Sequence, residues 1–107
     1  MSERTEIDEK IQLLREAIET EQAVTFYYNR TSRVVEPYVL GLSSEGNPLL
    51  RGFQTDGESL SGKGPGWRVY QVVKIEGLEL FGEYFSPERF DYDPTVPWIY
   101  EVDTQIP

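Results

Sequence analysis

The chain has 107 residues, no cysteine, no histidine and a formal net charge of −9. That length accommodates one domain with a single hydrophobic core that needs no disulfide or metal support. The missing residue types exclude a disulfide framework, thiolate metal sites, and serine–histidine or cysteine–histidine catalysis within the chain.

No apolar run approaches the roughly 18–20 residues that span a bilayer. The start, Met1 to Glu6, is polar and lacks the apolar centre of a signal peptide. A soluble, cytoplasmic protein without a membrane partner is expected. The charge is unevenly spread. Residues 1–29 carry three basic and seven acidic side chains, residues 30–74 six and four, and residues 75–107 one and eight. The ends repel polyanions and the middle attracts them. Tight binding of long nucleic acid needs many phosphate contacts, so a small anionic ligand or a short single strand fits this balance better.

Ile7, Ile11, Leu14 and Ile18 fall on one helical stripe, with Glu3, Glu6, Glu9, Glu16 and Glu19 around it. The spacing predicts a helix over 5–21, with Thr5 as N-cap. The periodicity then switches. Ala23 to Tyr28 is β-branched and aromatic and reads as a strand. Asn29 to Ser32 is a turn, and Arg33 to Leu42 a second strand in which Pro37 implies an edge or a bulge. After a turn at Ser43 to Asn47 come strands over Pro48 to Gln54, Trp67 to Val73 and Leu78 to Phe81. Thr55 to Gly66, with four glycines and a proline, reads as a loop. Its Gly62-Lys63-Gly64 lacks the spacing and the strand-to-helix setting of a phosphate loop. One helix and five strands in meander order predict a mainly β, α+β fold: a small barrel or strongly bent sheet with the helix at one end.

The tail, 86–107, is acidic. Ser86 to Phe90 could start a helical turn, and Asp91 and Asp93 are too few for a hard-metal site. Trp98-Ile99-Tyr100 is an apolar cluster that docks on the parent domain or on a partner.

The candidate site lies in the middle segment. Arg33-Val34-Val35-Glu36-Pro37 and Trp67 to Ile75 place cations within strand-like runs, so those side chains project from a rigid sheet. Arg33, Arg68 and Lys74 are expected on one face, near enough to share an anion; strand parity is compatible with this, since Arg68 and Lys74 are six residues apart and point the same way if no bulge intervenes. Arg51 adds to this basic centre. Glu36 is a candidate partner for Arg33 or Arg68. Tyr27, Tyr28, Phe53 and Tyr70 could stack on a base or fill the core.

The order of these motifs resembles the WYL domain, a small bacterial module with an SH3-like, Sm-like β-barrel behind an N-terminal helix. Ala17-Ile18 before the aromatic strand looks like the family's opening. Arg33-Val34-Val35-Glu36-Pro37 looks like its R-x-x-E-P, Arg68-Val69-Tyr70 like its R-x-F, and Val72-Val73-Lys74-Ile75 like its L-D-R-I. Leu78-Glu79-Leu80 and Phe85 fit its closing strand. The match covers about 11–85, which divides the chain into a WYL-like domain over 1–85 and the tail over 86–107. The name-giving Trp-Tyr-Leu run aligns with Pro48-Leu49-Leu50, so leucine replaces the pocket's aromatic ring, and Lys74 replaces an arginine. The resemblance implies a free-standing ligand-sensing or regulatory module; with no histidine, no cysteine and no metal motif, an enzyme is the weakest reading and no cofactor is expected. It also implies a nucleotide-like or short single-stranded nucleic-acid ligand held by Arg33, Leu49, Arg51, Arg68, Tyr70 and Lys74. The alternative expectation is an adaptor that binds a protein, or a second copy of itself, through the sheet edge or the aromatic tail.

Overall fold

The computed structural model describes residues 3–57, 64–87, 89 and 98–106. A helix α1 (Glu3–Glu19) precedes β1 (Gln22–Tyr28), β2 (Thr31–Leu42), β3 (Pro48–Gly57), β4 (Gly66–Gln71), a single 3-10 turn (Val72–Lys74), β5 (Glu76–Tyr84) and β6 (Glu101–Gln105). The expected stripe of α1 faces the sheet: Leu14 and Ile18 are fully buried with Ala17, and Ile11 packs against them. The helix begins at Glu3, so Thr5 lies inside it and is not its cap. It ends before Glu21, whose φ of 56° is left-handed and whose N–H donates to Ile18 O at 3.2 Å. A left-handed residue turns the chain out of the helix and satisfies one of its last carbonyls.

The strands form one antiparallel sheet in the order β4-β3-β2-β1-β5, with β6 also paired to β2. The sheet is mainly consecutive hairpins. It is not closed, because β4 and β5 are not paired with each other. The β1–β2 turn is only Asn29-Arg30, both left-handed at φ 52° and 64°. That matches the twist of a two-residue hairpin, and it brings the start of β2 forward from the expected Arg33 to Thr31.

β2 is the spine. Its first half, Thr31 to Val35, pairs with β1, and its second half, Val39 to Leu42, pairs with β6. Between them Tyr38 is the extra residue in a register shift against β3. Pro37 immediately precedes this bulge, where a residue without an N–H is tolerated. β6 is the strand that five-strand reasoning missed. It can approach because Gly41 has no side chain: a Cβ there would overlap Glu101 O and Ile99 Cγ2.

β4 stops at Gln71, short of the expected Val73. In the 3-10 turn that follows, Ile75 N donates to Val72 O at 3.1 Å. Residues three apart eclipse in such a turn, so Val72 and Ile75 both enter the core and are fully buried. They join Val24, Phe26, Val35, Leu40, Leu50 and Tyr70 beneath α1. β3 and β5 are longer than expected: Thr55 to Gly57 belong to β3, and β5 runs on to Tyr84. Residues 58–63 of the expected glycine-rich loop, and Asp91 and Asp93, lie outside the described residues. Ser86, Pro87 and Arg89 are in no helix; the rest of the expected helical turn, Glu88 and Phe90, also lies outside. Among the described residues, no helix is long and apolar enough to cross a membrane.

Candidate ligand-binding cleft

The expected shared face of Arg33, Arg68 and Lys74 does not form. Arg33 lies on the same side of β2 as Val35, the core side, and is 5 % exposed. Its Nε donates to Thr31 Oγ1 at 3.0 Å, its Nη1 to Gln54 Oε1 at 3.3 Å and its Nη2 to Tyr28 O at 3.2 Å. The guanidinium therefore sits in a ring of oxygens under the β1–β2 hairpin. Lys74 is exposed on the 3-10 turn and does not line the cleft described below. The parity argument that joined it to Arg68 requires a continuous strand, and the chain leaves the strand after Gln71.

Tyr70 is also interior. Its ring packs edge-on against Phe26 and Tyr28, with both centroids at 5.0 Å, and its hydroxyl donates to Gln54 Oε1 at 2.9 Å. Burial pushes its pKa up to about 12, against the opposing pull of Arg33 and Arg68. Its ring is a core element and presents no face to a ligand.

Leu49, Arg51 and Arg68 do come together, on one open cleft of about 810 Å³. β3 supplies Leu49 and Arg51, and β4 supplies Trp67, Arg68, Val69 and Gln71. The Ser43–Asn47 turn closes one end. Tyr28, Trp98 and Tyr100 complete the described wall. Leu49 faces Gln71 across the β3–β4 ladder, and Arg51 faces Val69. Leu49, Arg51, Val69 and Gln71 share the sheet face opposite Leu50 and Tyr70, which point into the core, whereas Arg68 has the parity of Tyr70 and meets the cleft from the β4 edge.

The arginines of this cleft are held by rings and carbonyls. The Arg51 guanidinium carbon lies 4.8 Å from the Trp67 ring centroid. Trp67 is wedged edge-on between Tyr38 and Phe53, at 4.8 and 5.4 Å. Arg51 Nε is buried without a hydrogen-bond acceptor among the described residues. Arg68 Nη2 donates to Gly64 O at 2.7 Å and Nη1 to Trp67 O at 3.0 Å. Gly66 makes room for it, since a Cβ there would stand 2.8 Å from Arg68 Nη1. Glu36 goes to neither Arg33 nor Arg68. It accepts from Arg89 Nε at 2.9 Å, with the Arg89 guanidinium carbon 3.5 Å from the Phe53 ring centroid. Among the described residues the ion pairs are Arg89–Glu36 and Arg15–Asp103. Among the described residues no carboxylate forms an ion pair with Arg33, Arg51 or Arg68.

Trp98 and Tyr100 are the functional candidates that residue patterns alone did not place here. Tyr100 N donates to Leu42 O at 2.7 Å, and Ile99 seats on Gly41. The segment is thus docked by its backbone and by Ile99. The rings of Trp98 and Tyr100 stay 62 % and 80 % exposed. The available signal was the Trp98-Ile99-Tyr100 cluster itself; its docking position depends on Gly41, far away in sequence. Chemically, the cleft offers ring faces for stacking, two guanidinium groups for an anion, and the hydroxyls of Ser43 and Ser44. Among the described residues no group of His, Cys, Asp or Glu could hold a metal ion. No family model, no curated protein and no solved structure matches the chain.

Proposed function

We propose that the chain is a non-enzymatic binding module of regulatory type, and that its cleft takes a nucleotide-like ligand or a few nucleotides of a single strand. The observation that carries this reading is the conjunction, in one cleft, of exposed aromatic rings with two arginines that form no ion pair among the described residues. Bases stack on aromatic faces, and guanidinium groups grip phosphates with parallel N–H donors. The motif order that resembles the WYL domain supports the same reading. On that resemblance the bent open sheet, with β5 returning to β1, is a divergent SH3-like, Sm-like barrel. The ring missing at Leu49 is then replaced from outside the resembling segment, by Trp98 and Tyr100. Arg33 and Tyr70 support the site from below, and Lys74 has no part in it.

The test is a fluorescence-anisotropy titration of a labelled short single strand at several salt concentrations. Two phosphate contacts imply a log–log salt slope of about −1.4. Arg68→Ala weakens binding about tenfold, and Lys74→Ala leaves it unchanged. The exposed Trp98 and Tyr100 rings also favour a second reading, a docking surface for another protein. Absence of binding at low salt, or equal losses from Arg68→Ala and Lys74→Ala, would favour that second reading.

A further inference from the structure

On the other side of the molecule the charge is reversed. A groove of about 450 Å³ runs between α1 and the start of β5, lined by Glu6, Glu9, Leu13, Ile75, Glu76 and Leu78 among others. Its floor is apolar: Ile75 is fully buried, and Leu13 and Leu78 are half-buried. Its rim is acidic. Glu6, Glu9 and Glu76 are exposed, and among the described residues none of them makes an ion pair. Among the described residues Lys10 is the single cation on the lining. Gly77 leaves part of the wall bare. The place where its Cβ would stand is 3.3 Å from the ring of Tyr27, which is 55 % exposed beside the groove.

The groove also follows a free backbone edge. β5 pairs with β1 on one side and with no strand on the other among the described residues. It is the most exposed long strand of the sheet. An unpaired edge presents N–H and C=O groups to any strand that can approach. Charge decides which strand that is. Glu76, Glu79 and Glu83 lie along this edge, so a second copy of β5 meets like charges and is repelled. A cationic strand meets complementary ones.

We propose that this edge and groove dock an extended segment of a partner protein in which lysine or arginine alternates with apolar residues. The segment adds to β5 as a further strand. Its apolar side chains enter the floor at Leu13, Ile75 and Leu78, and its cations, on the other face of the added strand, meet Glu76 and Glu79, which pair with Tyr27 and Thr25 on the side of the sheet away from the core. The acids that close the edge to self-association are the ones that select this partner.

An end-capped, labelled octapeptide of alternating lysine and valine is the probe, titrated into the full chain by fluorescence anisotropy at low salt. Saturable binding is expected, weakened by added salt. The exposed double variant Glu76→Lys/Glu79→Lys weakens it about tenfold or more, while a melting temperature within a few degrees shows that the variant is folded. A glutamate–valine octapeptide does not bind. A lysine–valine peptide with alternate amides N-methylated loses most of its affinity, because it cannot complete the ladder. The proposal fails if the lysine–valine peptide does not saturate at low salt, if the acidic peptide binds as well, or if the double variant binds unchanged. It also fails if N-methylation has no effect, since the contact is then not a strand addition.

Discussion

Arg33 and Arg68 carry the same charge on the same sheet, and neither meets a carboxylate among the described residues, yet they are held for different ends. Arg33 is sealed beneath the β1–β2 hairpin, where Thr31 Oγ1, Gln54 Oε1 and Tyr28 O accept from it. A guanidinium is costly to bury without an anion, and a ring of oxygens offsets part of that cost while fixing the geometry around it. Arg68 stands half-buried on the cleft wall, and the carbonyls of Gly64 and Trp67 take only two of its donors. The same cation is a structural brace in one place and, on the proposed function, a receptor for an anion in the other. What separates the two is position: Arg33 lies on the inner strand β2 under a closed hairpin, whereas Arg68 lies on β4 at the edge of the sheet.

The sharpest way to break this comparison is to delete each cation. Arg33→Ala removes the hub of a buried polar network and is expected to cost about 3 kcal/mol of folding stability. Arg68→Ala costs less than about 1 kcal/mol. Denaturant midpoints of the two variants, at unchanged slope, measure the difference directly. Equal losses would erase the distinction between brace and receptor.

Gly41→Ala sharpens the cleft side. The added methyl collides with Glu101 and Ile99 and forces β6 from β2, at about 1–3 kcal/mol. It also carries Trp98 and Tyr100 out of the cleft. Hydrogen exchange is then faster at β6 and Leu42 but not at the core positions Leu50 and Tyr70.

Tyr70 reports on the brace. Its folded pKa of about 12 lies above the ordinary tyrosine value of about 10. The stability linked to this shift is therefore complete below pH 10 and is lost as pH rises toward 12. Tyr70→Phe leaves Gln54 Oε1 to Arg33 alone, costs about 1 kcal/mol near neutrality, and makes the remaining stability less sensitive to base. Phenolate absorbance against pH checks this, with a component near pH 12 in the parent protein that Tyr70→Phe removes.

The smallest effect belongs to the clamp between α1 and β6. Arg15 grips Asp103 through Nε at 2.8 Å and Nη2 at 2.6 Å. The bonded guanidinium holds the Asp103 carboxyl below the usual carboxylate range. Its contribution is present above about pH 3.9, the ordinary aspartate value, and disappears as pH falls through the lower folded value. Both side chains are partly in water, so Arg15→Ala costs well under about 1 kcal/mol. Thermal melts of the variant and the parent protein converge at the acid end.

Much of the fold was legible because it is written in local periodicity. The stripe Ile7, Ile11, Leu14 and Ile18 marks the buried face of α1, and the switch to β-branched and aromatic residues after Glu21 marks β1. Pro37 announced its bulge. What local pattern could not carry was the choice of face and the distant pairing. Arg33 shares parity with Val35, and parity alone does not say which face is the core. Val72-Val73-Lys74-Ile75 reads as strand because its residues are β-branched, yet a 3-10 turn buries Val72 and Ile75 together and leaves Lys74 outside. The site was half legible for the same reason. Leu49, Arg51 and Arg68 line the cleft, whereas Trp98 and Tyr100 reach it through a notch at Gly41 that no nearby residue reveals.

The central claim is that the anion-binding surface is the β3–β4 cleft walled by Trp67 and Trp98. The chain has two tryptophans, and both line that cleft, so its two indole N–H signals are built-in reporters. A nucleoside 5′-monophosphate titrated into the ¹⁵N-labelled protein is expected to shift both signals, along with the amides of Arg51 and Arg68. The Lys74 and α1 amides should stay in place, and Arg68→Ala should suppress the shifts. Unmoved indole signals at saturating nucleotide, or shifts centred on Lys74, would contradict the account.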